Sequence, residues 1–394
     1  MENFFQRHAY LLEHTDLSMT RPLMNDIDWK YRLIGIKGPR GVGKTTFLLQ
    51  YAKKNYSYSM GRCLYVNMNS FYFRGRGLLD FAQEFVKRGG RVLIVDQLFK
   101  QAGWREELCQ CYHSLPVLQI VFATTTVEDP DTEDDELSHL AHFYVLHGFS
   151  FREYINMQAG FDIPRYTLED VLHRTEEVQR SILMKVRPWI FLQSYLHHGY
   201  YPFYIEKHNF TENLLKSINA MIEVDILFTK QIDVKYVGRL KTLLYLLVVG
   251  GNESPNVSNL AKEINTSRAT VMNYMTDLEE ARLIHQIYKH GTTGPKKPAR
   301  VLTHNTNLLY AILSGAPSDQ EVMETFFTNS IWRHHKVETT RRSNVFVVDD
   351  DMEICVCDKN TKKRSKDANL YYARYNTEVS RDGDIPIWLF GFLY

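Results

Sequence analysis

An eight-residue glycine-rich segment constrains the fold of this chain more than any other feature. It runs from Gly38 to Thr45, after an apolar run at residues 32–37 with the pattern of a buried strand and before a helical run at residues 46–52. Glycines let the backbone curl so that successive N–H groups point at phosphate oxygens, and the N-terminus of the next helix adds positive potential. The order of strand, loop and helix therefore predicts a P-loop in an α/β domain with a parallel sheet.

The residue types in this loop indicate which ligands it holds. Lys44 is expected to reach the β- and γ-phosphates of a nucleoside triphosphate, and Thr45 supplies a hydroxyl that can ligand Mg²⁺. We therefore predict ATP and Mg²⁺ as cofactors. The predicted nucleotide-binding residues are Gly38, Pro39, Arg40, Gly41, Val42, Gly43, Lys44, Thr45 and Thr46.

A second strand is predicted at residues 91–96, where four consecutive apolar residues end in Asp96. Asp96 is the expected Walker B aspartate and, with Thr45, the expected metal ligand. Hydrolytic ATPases of this type usually carry a glutamate next, but this chain has Gln97, which cannot accept a proton at neutral pH. Losing a general base costs about 10² to 10⁴ in rate, although a glutamine can still orient water. Gln97 is thus a candidate catalytic residue for slow hydrolysis.

A third predicted strand, residues 118–123, ends at three consecutive threonines. We select Thr125 as a second candidate catalytic residue, because a hydroxyl here could sense the γ-phosphate. The alternative is that threonines simply suit the end of a strand.

Composition describes a globular protein with several domains. The chain has 394 residues, 44% of them hydrophobic, and a formal net charge of +1, so global charge does not indicate nucleic acid. Four of the five cysteines form two Cys-x-Cys pairs without zinc-site spacing, and all five are expected to be reduced thiols. The start lacks the apolar core of a signal peptide, and no apolar run is long enough to span a bilayer. We therefore expect a cytoplasmic location and no membrane partner.

A helix-turn-helix pattern occupies residues 257–275. Ser267 is expected to cap its second helix, with Val271, Met275 and Leu278 facing inward. A wing is predicted from residues 283–288, a turn at 291–298 and residues 301–302. The expected exposed helix residues are Arg268, Thr270, Asn273 and Asp277, and the expected basic wing residues are Lys289, Lys296, Lys297 and Arg300. This winged helix could contact DNA, or it could serve packing or a protein partner.

Several segments distributed along the chain carry a family resemblance. They are Asp28-Trp29, the loop 38–45, Leu64-Tyr65-Val66, Leu93-Ile94-Val95-Asp96, Ile120-Val121-Phe122, residues 148–154 and residues 385–394. Together they resemble the bacterial AAA-like ATPases that carry a C-terminal domain of unknown function, in the version common in gut Bacteroidetes. The resemblance implies a P-loop domain, a helical lid, a winged helix and a C-terminal fold similar to restriction-type nucleases.

The chain departs from that family pattern at several places. Gln97 replaces the usual glutamate, Asn69 stands where an aspartate commonly follows the second strand, and His139-Leu140 replace an arginine pair that could stabilise the transition state. In the nuclease-like region the expected acids are missing as well.

A nuclease of this type needs an acid on one strand and a Glu-x-Lys pair on the next to hold Mg²⁺ and support the attacking water. The best register places Cys355 at the glutamate position and Val345 near the aspartate, and only Lys359 remains. Asp350 and Glu353 could rebuild a metal site, but a solvated acidic hairpin turn is the simpler interpretation. We predict no nuclease activity.

The expected domains are a P-loop AAA-like domain at 1–159, a helical lid at 160–236, a winged helix at 237–305 and a degenerate nuclease-like domain at 306–394. The leading hypothesis is a nucleotide-dependent switch with weak hydrolysis. The alternatives are an active ATPase that couples hydrolysis to DNA binding or remodelling, and a scaffold with a structural nucleotide. The basic residues of the run 359–366 are expected to form a solvated loop that could touch phosphates.

Overall fold

The structure is a computed structural model. It describes residues 1–57, 61–127, 136–206, 209–292, 297–342, 344–363, 370–381 and 383–394. These residues form two compact units, one of residues 1–147 with 228–231 and one of residues 148–227 with 232–394. The predicted division into four domains remains a prediction.

The first unit is built on a five-stranded parallel sheet. Its strands are β1 (Leu33–Lys37), β2 (Cys63–Asn67), β3 (Val92–Asp96), β4 (Gln119–Thr124) and β5 (His142–Val145). Their order is β2-β3-β4-β1-β5. Strands β1 and β3 are buried along their whole length, as the continuous apolar runs predict for a parallel sheet covered on both faces. The predicted α/β fold class is confirmed.

Helices cover this sheet. In the first unit they are α1 (Glu2–Glu13), α2 (Leu23–Asp26), α3 (Lys44–Tyr56), α4 (Leu78–Lys87), α5 (Trp104–Ser114) and α6 (Glu136–Leu140). The clearest amphipathic pattern is that of α4, which buries Phe81 and Phe85 in the core beneath the sheet. Burying large aromatic side chains in this way supplies much of the apolar area that stabilises the unit.

The helices of the second unit lie before and between its strands. They are α7 (Phe151–Ala159), α8 (Leu168–His173), α9 (Thr175–Leu183), α10 (Pro188–Ser194), α11 (Phe210–Ala220), α12 (Leu227–Thr229), α13 (Val237–Val249), α14 (Val257–Glu263), α15 (Arg268–Glu280), α16 (Thr306–Ile312) and α17 (Asp319–Ile331). Among these, α12 crosses the boundary between the two units. Helix α17 is central to its unit, because every residue from Val322 to Ile331 is buried.

Two further sheets belong to the second unit. Strands β6 (Ile284–Ile287) and β7 (Arg300–Thr303) form an antiparallel pair. The other sheet contains β8 (Val337–Thr339), β9 (Val345–Val348), β10 (Met352–Asp358), β11 (Leu370–Tyr375) and β12 (Ile385–Pro386), in the order β12-β11-β10-β9-β8. It is mixed, because β8, β9 and β10 pair antiparallel whereas β10, β11 and β12 pair parallel.

Two segments that carried the family resemblance meet in the core of the second unit. Ser150 caps α7 in a reciprocal capping box with Glu153. Arg152, the buried second residue of α7, donates from Nε to the carbonyl oxygen of Tyr394 at 2.9 Å. The ring of Phe151 packs against that of Phe392 with centroids 5.7 Å apart. These contacts give both segments a structural role in one core.

Within the described ranges, none of the helices combines the length and the apolar character needed to cross a bilayer.

Candidate functional site

The three strands singled out from the sequence end at one edge of the parallel sheet. In the register of β1 and β4, Lys37 lies opposite Thr124, and in that of β3 and β4, Val95 lies opposite Phe122. The glycine-rich loop, Asp96 and the three threonines therefore leave the sheet side by side. Ligands of open parallel sheets bind at this carboxyl edge.

Glycine is required at two positions of the loop for different reasons. A Cβ on Gly38 would lie 2.4 Å from the carbonyl oxygen of Leu146, which is too close for any side chain. Gly43 adopts a left-handed conformation, with φ of +91°, immediately before α3 begins at Lys44. Among the described residues no side chain caps this N-terminus. The first N–H groups of α3 are thus available to an anion.

Lys44 lies over the loop. Its Nζ donates to the carbonyl oxygens of Gly38 and Pro39, the latter at 2.9 Å. The ammonium group is thereby held within the concavity, where the sequence predicted contact with phosphate.

Thr45 and Asp96, the two predicted metal ligands, lie close together. Thr45 is exposed, and its Oγ1 donates to Oδ2 of the buried Asp96 at 2.6 Å across 51 positions of sequence. Ligand oxygens in adjacent octahedral positions around Mg²⁺ lie about 2.9 Å apart, given metal–oxygen distances of roughly 2.0–2.1 Å. The two oxygens are therefore spaced suitably for one small cation, so the residues present fit a Mg²⁺–nucleotide.

Tyr65 is a site residue that the sequence analysis did not select. Its hydroxyl group donates to the same Oδ2 of Asp96 at 2.8 Å. Tyr65 lies on β2, and only the pairing of β2 with β3 brings it to the aspartate. Because the order of strands in a sheet is not written in any local pattern, the sequence held no signal for this contact.

His8 on α1 holds the backbone beneath Tyr65. Its Nδ1 accepts the backbone N–H of Tyr65 at 3.1 Å, and only 1% of the residue is exposed. Burial lowers the pKa of His8 to about 4, so the ring is neutral at pH 7 and can accept this bond. The β2 edge of the sheet is thus tied to α1 directly behind the site.

Gln97 follows Asp96 in an unusual backbone conformation. Its φ is +60°, and its N–H donates to Oδ1 of Asp96 at 2.8 Å. The side-chain oxygen of Gln97 is buried and accepts no hydrogen bond from the described residues. Positive φ is uncommon for residues other than glycine and costs about 1 kcal/mol or more, and such strain concentrates at functional positions. The catalytic role of Gln97 remains a prediction.

The two threonines that follow β4, Thr125 and Thr126, differ in their surroundings. The hydroxyl oxygen of Thr125 accepts a long bond from the N–H of Val127 at 3.4 Å, and the residue is 3% exposed. The hydroxyl of Thr126 is buried without a described partner. Both hydroxyl groups lie near the carboxyl edge of β4, and the predicted role of Thr125 as a γ-phosphate sensor stays a prediction.

The helix-turn-helix pattern corresponds to α14 and α15. Ser267 accepts the N–H of Thr270 as N-cap, and Val271, Met275 and Leu278 are fully buried, as predicted. Arg268 and Asn273 are exposed, whereas Thr270 and Asp277 are only partly so. The strand pair β6 and β7 follows in the position of a wing, and residues 293–296, which include Lys296, lie outside the described residues. The identification of these helices and strands as a winged helix remains a prediction.

The prediction that Arg300 belongs to a basic wing surface is wrong. Arg300 is 5% exposed and forms an ion pair with Glu324 of α17, which is 3% exposed. Its Nε also donates to the carbonyl oxygen of Asn252 at 2.8 Å. Because its side chain meets Glu324 of α17, this charge points into the unit, and only Lys289 and Lys297 are exposed among the described basic residues predicted for the wing.

The nuclease-like positions carry no acids where the sequence register placed them. Val345 and Cys355 are direct partners across β9 and β10, and both are buried. Asp350 lies exposed in the hairpin turn between these strands and accepts from Lys336 Nζ at 2.7 Å. His290 and Glu338 lie near Asp350, whereas Glu353 is not part of that group in the described chain.

The basic run after β10 is only partly described. Lys359, Lys362 and Lys363 are exposed, and Lys363 pairs with Asp384 at 2.9 Å. Arg364 and Lys366 of the predicted solvated loop lie outside the described residues.

Comparison with known proteins agrees with the geometry of the first site. Residues 30–155 match the family model described as an AAA domain. This segment is an AAA-family nucleotide-binding domain. Residues 191–313 match a second model, described as a domain of unknown function (DUF8612).

A curated relative extends beyond the AAA domain. An uncharacterized protein of Methanocaldococcus jannaschii is 24% identical over 280 residues, which is 68% of this chain. The aligned region spans 59% of that relative's length. This comparison therefore assigns neither an activity nor a partner to the chain.

Solved structures of nucleotide-bound proteins show distant likeness. AMPPCP-bound DnaA from Aquifex aeolicus is 14% identical with a TM-score of 0.26, covering 65% of this chain and 84% of that one. The Hsp104–ADP complex of S. cerevisiae is 13% identical with a TM-score of 0.29, covering 71% and 39%. TM-scores this low do not establish a common arrangement, so the assignment of the AAA domain rests on the family match and on the site.

Proposed function

We propose that this chain binds ATP with Mg²⁺ at the loop 38–45 and acts as a nucleotide-dependent switch whose bound form is long-lived. The observation that carries the proposal is Gln97, the neutral side chain at the position where hydrolytic relatives have a general base. Binding and hydrolysis are separable properties, because the residues that would hold the triphosphate are present, whereas position 97, where a general base is usual, carries an amide.

The binding half of the proposal rests on three groups. The N-terminus of α3 and the ammonium group of Lys44 would face the phosphates, and Thr45 with Asp96 would hold the metal ion. Mg²⁺ would neutralise phosphate charge when bound. Tyr65 keeps Asp96 in place by donating to its carboxylate.

The hydrolysis half rests on the chemistry of an amide. The Gln97 side-chain oxygen can accept a hydrogen bond from water but cannot take its proton at neutral pH. The left-handed backbone conformation of Gln97 sets the direction in which its side chain leaves the main chain. We expect ATP to remain bound and intact over many minutes, which is the property that a switch requires.

A phosphate-release assay on purified protein tests the proposal. We expect wild-type turnover at least about 10²-fold slower than in Gln97→Glu, which restores the base. Lys44→Ala is the control for contaminating activity and should release no phosphate. Wild-type turnover of roughly 1 per second or faster, lost in Lys44→Ala, would show an ordinary ATPase and overturn the switch.

An ATPase that couples hydrolysis to DNA is the second candidate. The exposed Arg268 and Asn273 favour it, because both lie on the second helix of the helix-turn-helix with side chains free to reach a groove. Gel-shift binding that tightens with ATP, weakens steeply with salt and is lost in Arg268→Ala would support it. Equal binding by Arg268→Ala and wild type would exclude contact through this helix.

A further inference from the structure

Strand β10 carries two cysteines that share one face of the mixed sheet. Cys355 and Cys357 are two positions apart, and side chains at that spacing on a strand point the same way. Both are buried, with exposures of 5% and 2%. They pack with Val345 and Tyr372 in a small cluster of their own.

Each sulfur accepts a hydrogen bond from a neighbouring nitrogen. Asn344 Nδ2 donates to Cys355 Sγ at 3.3 Å, and Arg374 Nη1 donates to Cys357 Sγ at 3.4 Å. The Arg374 guanidinium is itself fixed, because it also donates to Asp384 and to the carbonyl oxygen of Asp358. N–H donors that surround sulfur in this way support the thiolate form, as the outer shell of a metal–thiolate site does.

The surroundings limit which cation could bind. In the part of the chain that the structure describes, no third His, Cys, Asp or Glu joins these sulfurs in a cluster of ligand atoms. Tetrahedral zinc requires four ligands, and hard cations require oxygen. Two thiolates in an apolar cluster instead suit a soft monovalent ion such as Cu(I).

We propose that Cys355 and Cys357 form a two-coordinate site for a soft monovalent cation, with Cu(I) as the natural ion. Binding replaces two S–H protons by two S–Cu bonds, so that two thiols and Cu⁺ give an anionic bis-thiolate complex and two H⁺. The complex carries one negative charge, and the Arg374 N–H that donates to Cys357 Sγ lies beside it.

The chain contains its own control for this geometry. Cys109 and Cys111 have the same Cys-x-Cys spacing and are also buried, but they lie on α5. Residues two apart on a helix do not face each other. A site that depends on spacing alone would form at both pairs, whereas a site that depends on strand geometry forms only at β10.

Competition for Cu(I) against the chromogenic chelator bathocuproine disulfonate, with reduced protein under anaerobic conditions, tests the proposal. We expect wild type and the control C109S/C111S each to withdraw one equivalent of Cu(I) per chain, and C355S/C357S to withdraw none. Equal withdrawal by wild type and C355S/C357S, or no withdrawal by wild type, would overturn the proposal.

A second measurement needs no variant and covers the case in which C355S/C357S does not fold. X-ray absorption of the wild-type protein with one equivalent of Cu(I) should show two sulfur neighbours. A first shell that contains nitrogen or oxygen, or a third sulfur, would contradict a two-coordinate site on β10.

Discussion

Buried polar groups are arranged differently at the edge of the parallel sheet and at the centre of the second unit. At the sheet edge, two hydroxyl groups converge on one carboxylate oxygen of Asp96, next to an exposed helix N-terminus and the loop amine of Lys44. In the second unit, the buried charge of Arg300 meets Glu324 inside the protein, and Asn252 bonds to both. The groups at the sheet edge border the predicted nucleotide-binding loop, whereas the groups in the second unit bond to one another within the protein.

This difference distinguishes a binding site from a structural network when both contain buried charge. Burying charge costs free energy in either place, and the cost is offset by a partner. Where the partner is protein, the residues stabilise the fold. Where the charged groups border the predicted nucleotide-binding loop, substitutions should alter nucleotide binding more than stability.

The largest effect is expected where the closed network is broken. Arg300→Ala leaves Glu324 buried without its cation, so the free energy of unfolding should fall by about 3–5 kcal/mol. Chemical denaturation measures this loss. Arg88→Ala, which removes an exposed ion pair with Glu84 in the first unit, is the matched control and should change little. A loss below about 1 kcal/mol for Arg300→Ala would show that Glu324 does not depend on Arg300 as its buried partner.

The next effect is expected at the open site and should appear in binding. Lys44→Ala should weaken ATP binding by at least about 100-fold, or roughly 2.8 kcal/mol, because the ammonium group no longer meets the phosphates. Isothermal titration calorimetry with Mg²⁺ measures it. Lys54→Ala, exposed near the end of the same helix, should bind normally. If Lys44→Ala lowered the free energy of unfolding as much as the free energy of ATP binding, Lys44 would act like the structural pair Arg300–Glu324 and not as a binding residue.

A pH effect of intermediate size should appear in both units. Burial lowers the pKa of His8 to about 4 and that of His285 to about 3, both below the unfolded value of 6.5. The unfolded chain therefore binds more protons below pH 6.5, and stability is lost as pH falls from there toward the folded pKa. At pH 5 each histidine should cost about 2 kcal/mol, since one pKa unit corresponds to about 1.4 kcal/mol.

Thermal unfolding between pH 7 and pH 5 tests this for each histidine separately. His285→Gln should remove part of the pH dependence and leave ATP binding at pH 7 unchanged. A pH slope identical to that of wild type would mean that His285 is protonated in the folded state.

The smallest effect is expected at Tyr65. Tyr65→Phe removes one of the donors that hold Asp96, so the Mg²⁺ concentration needed for half-maximal ATP binding should rise about 10-fold, in line with losses of metal affinity when a supporting group is removed. Tyr56→Phe is the control, because its ring lies at the far end of α3. An unchanged Mg²⁺ concentration for half-maximal ATP binding would show that the Tyr65 hydroxyl does not support metal binding by Asp96.

Much of the first site could be predicted because its signals are local. The glycines, Lys44 and Thr45 are contiguous, and Asp96 ends a strand whose apolar run identifies it. The Ser267 cap and the buried face of α15 could likewise be predicted from the spacing of apolar residues after the serine. Each of these features depends on backbone conformation within a few residues, which local side-chain types largely decide.

Contacts between distant segments were decided only by the tertiary structure. Tyr65 reaches Asp96 because β2 pairs with β3, and Arg300 is buried where its side chain meets Glu324 and Asn252. Two identical Cys-x-Cys pairs acquire different geometry because one lies on a helix and the other on a strand. Composition and spacing determined which elements form, whereas the neighbours of each charged or polar group depend on how those elements pack, and packing sets whether such a group binds a ligand or stabilises the core.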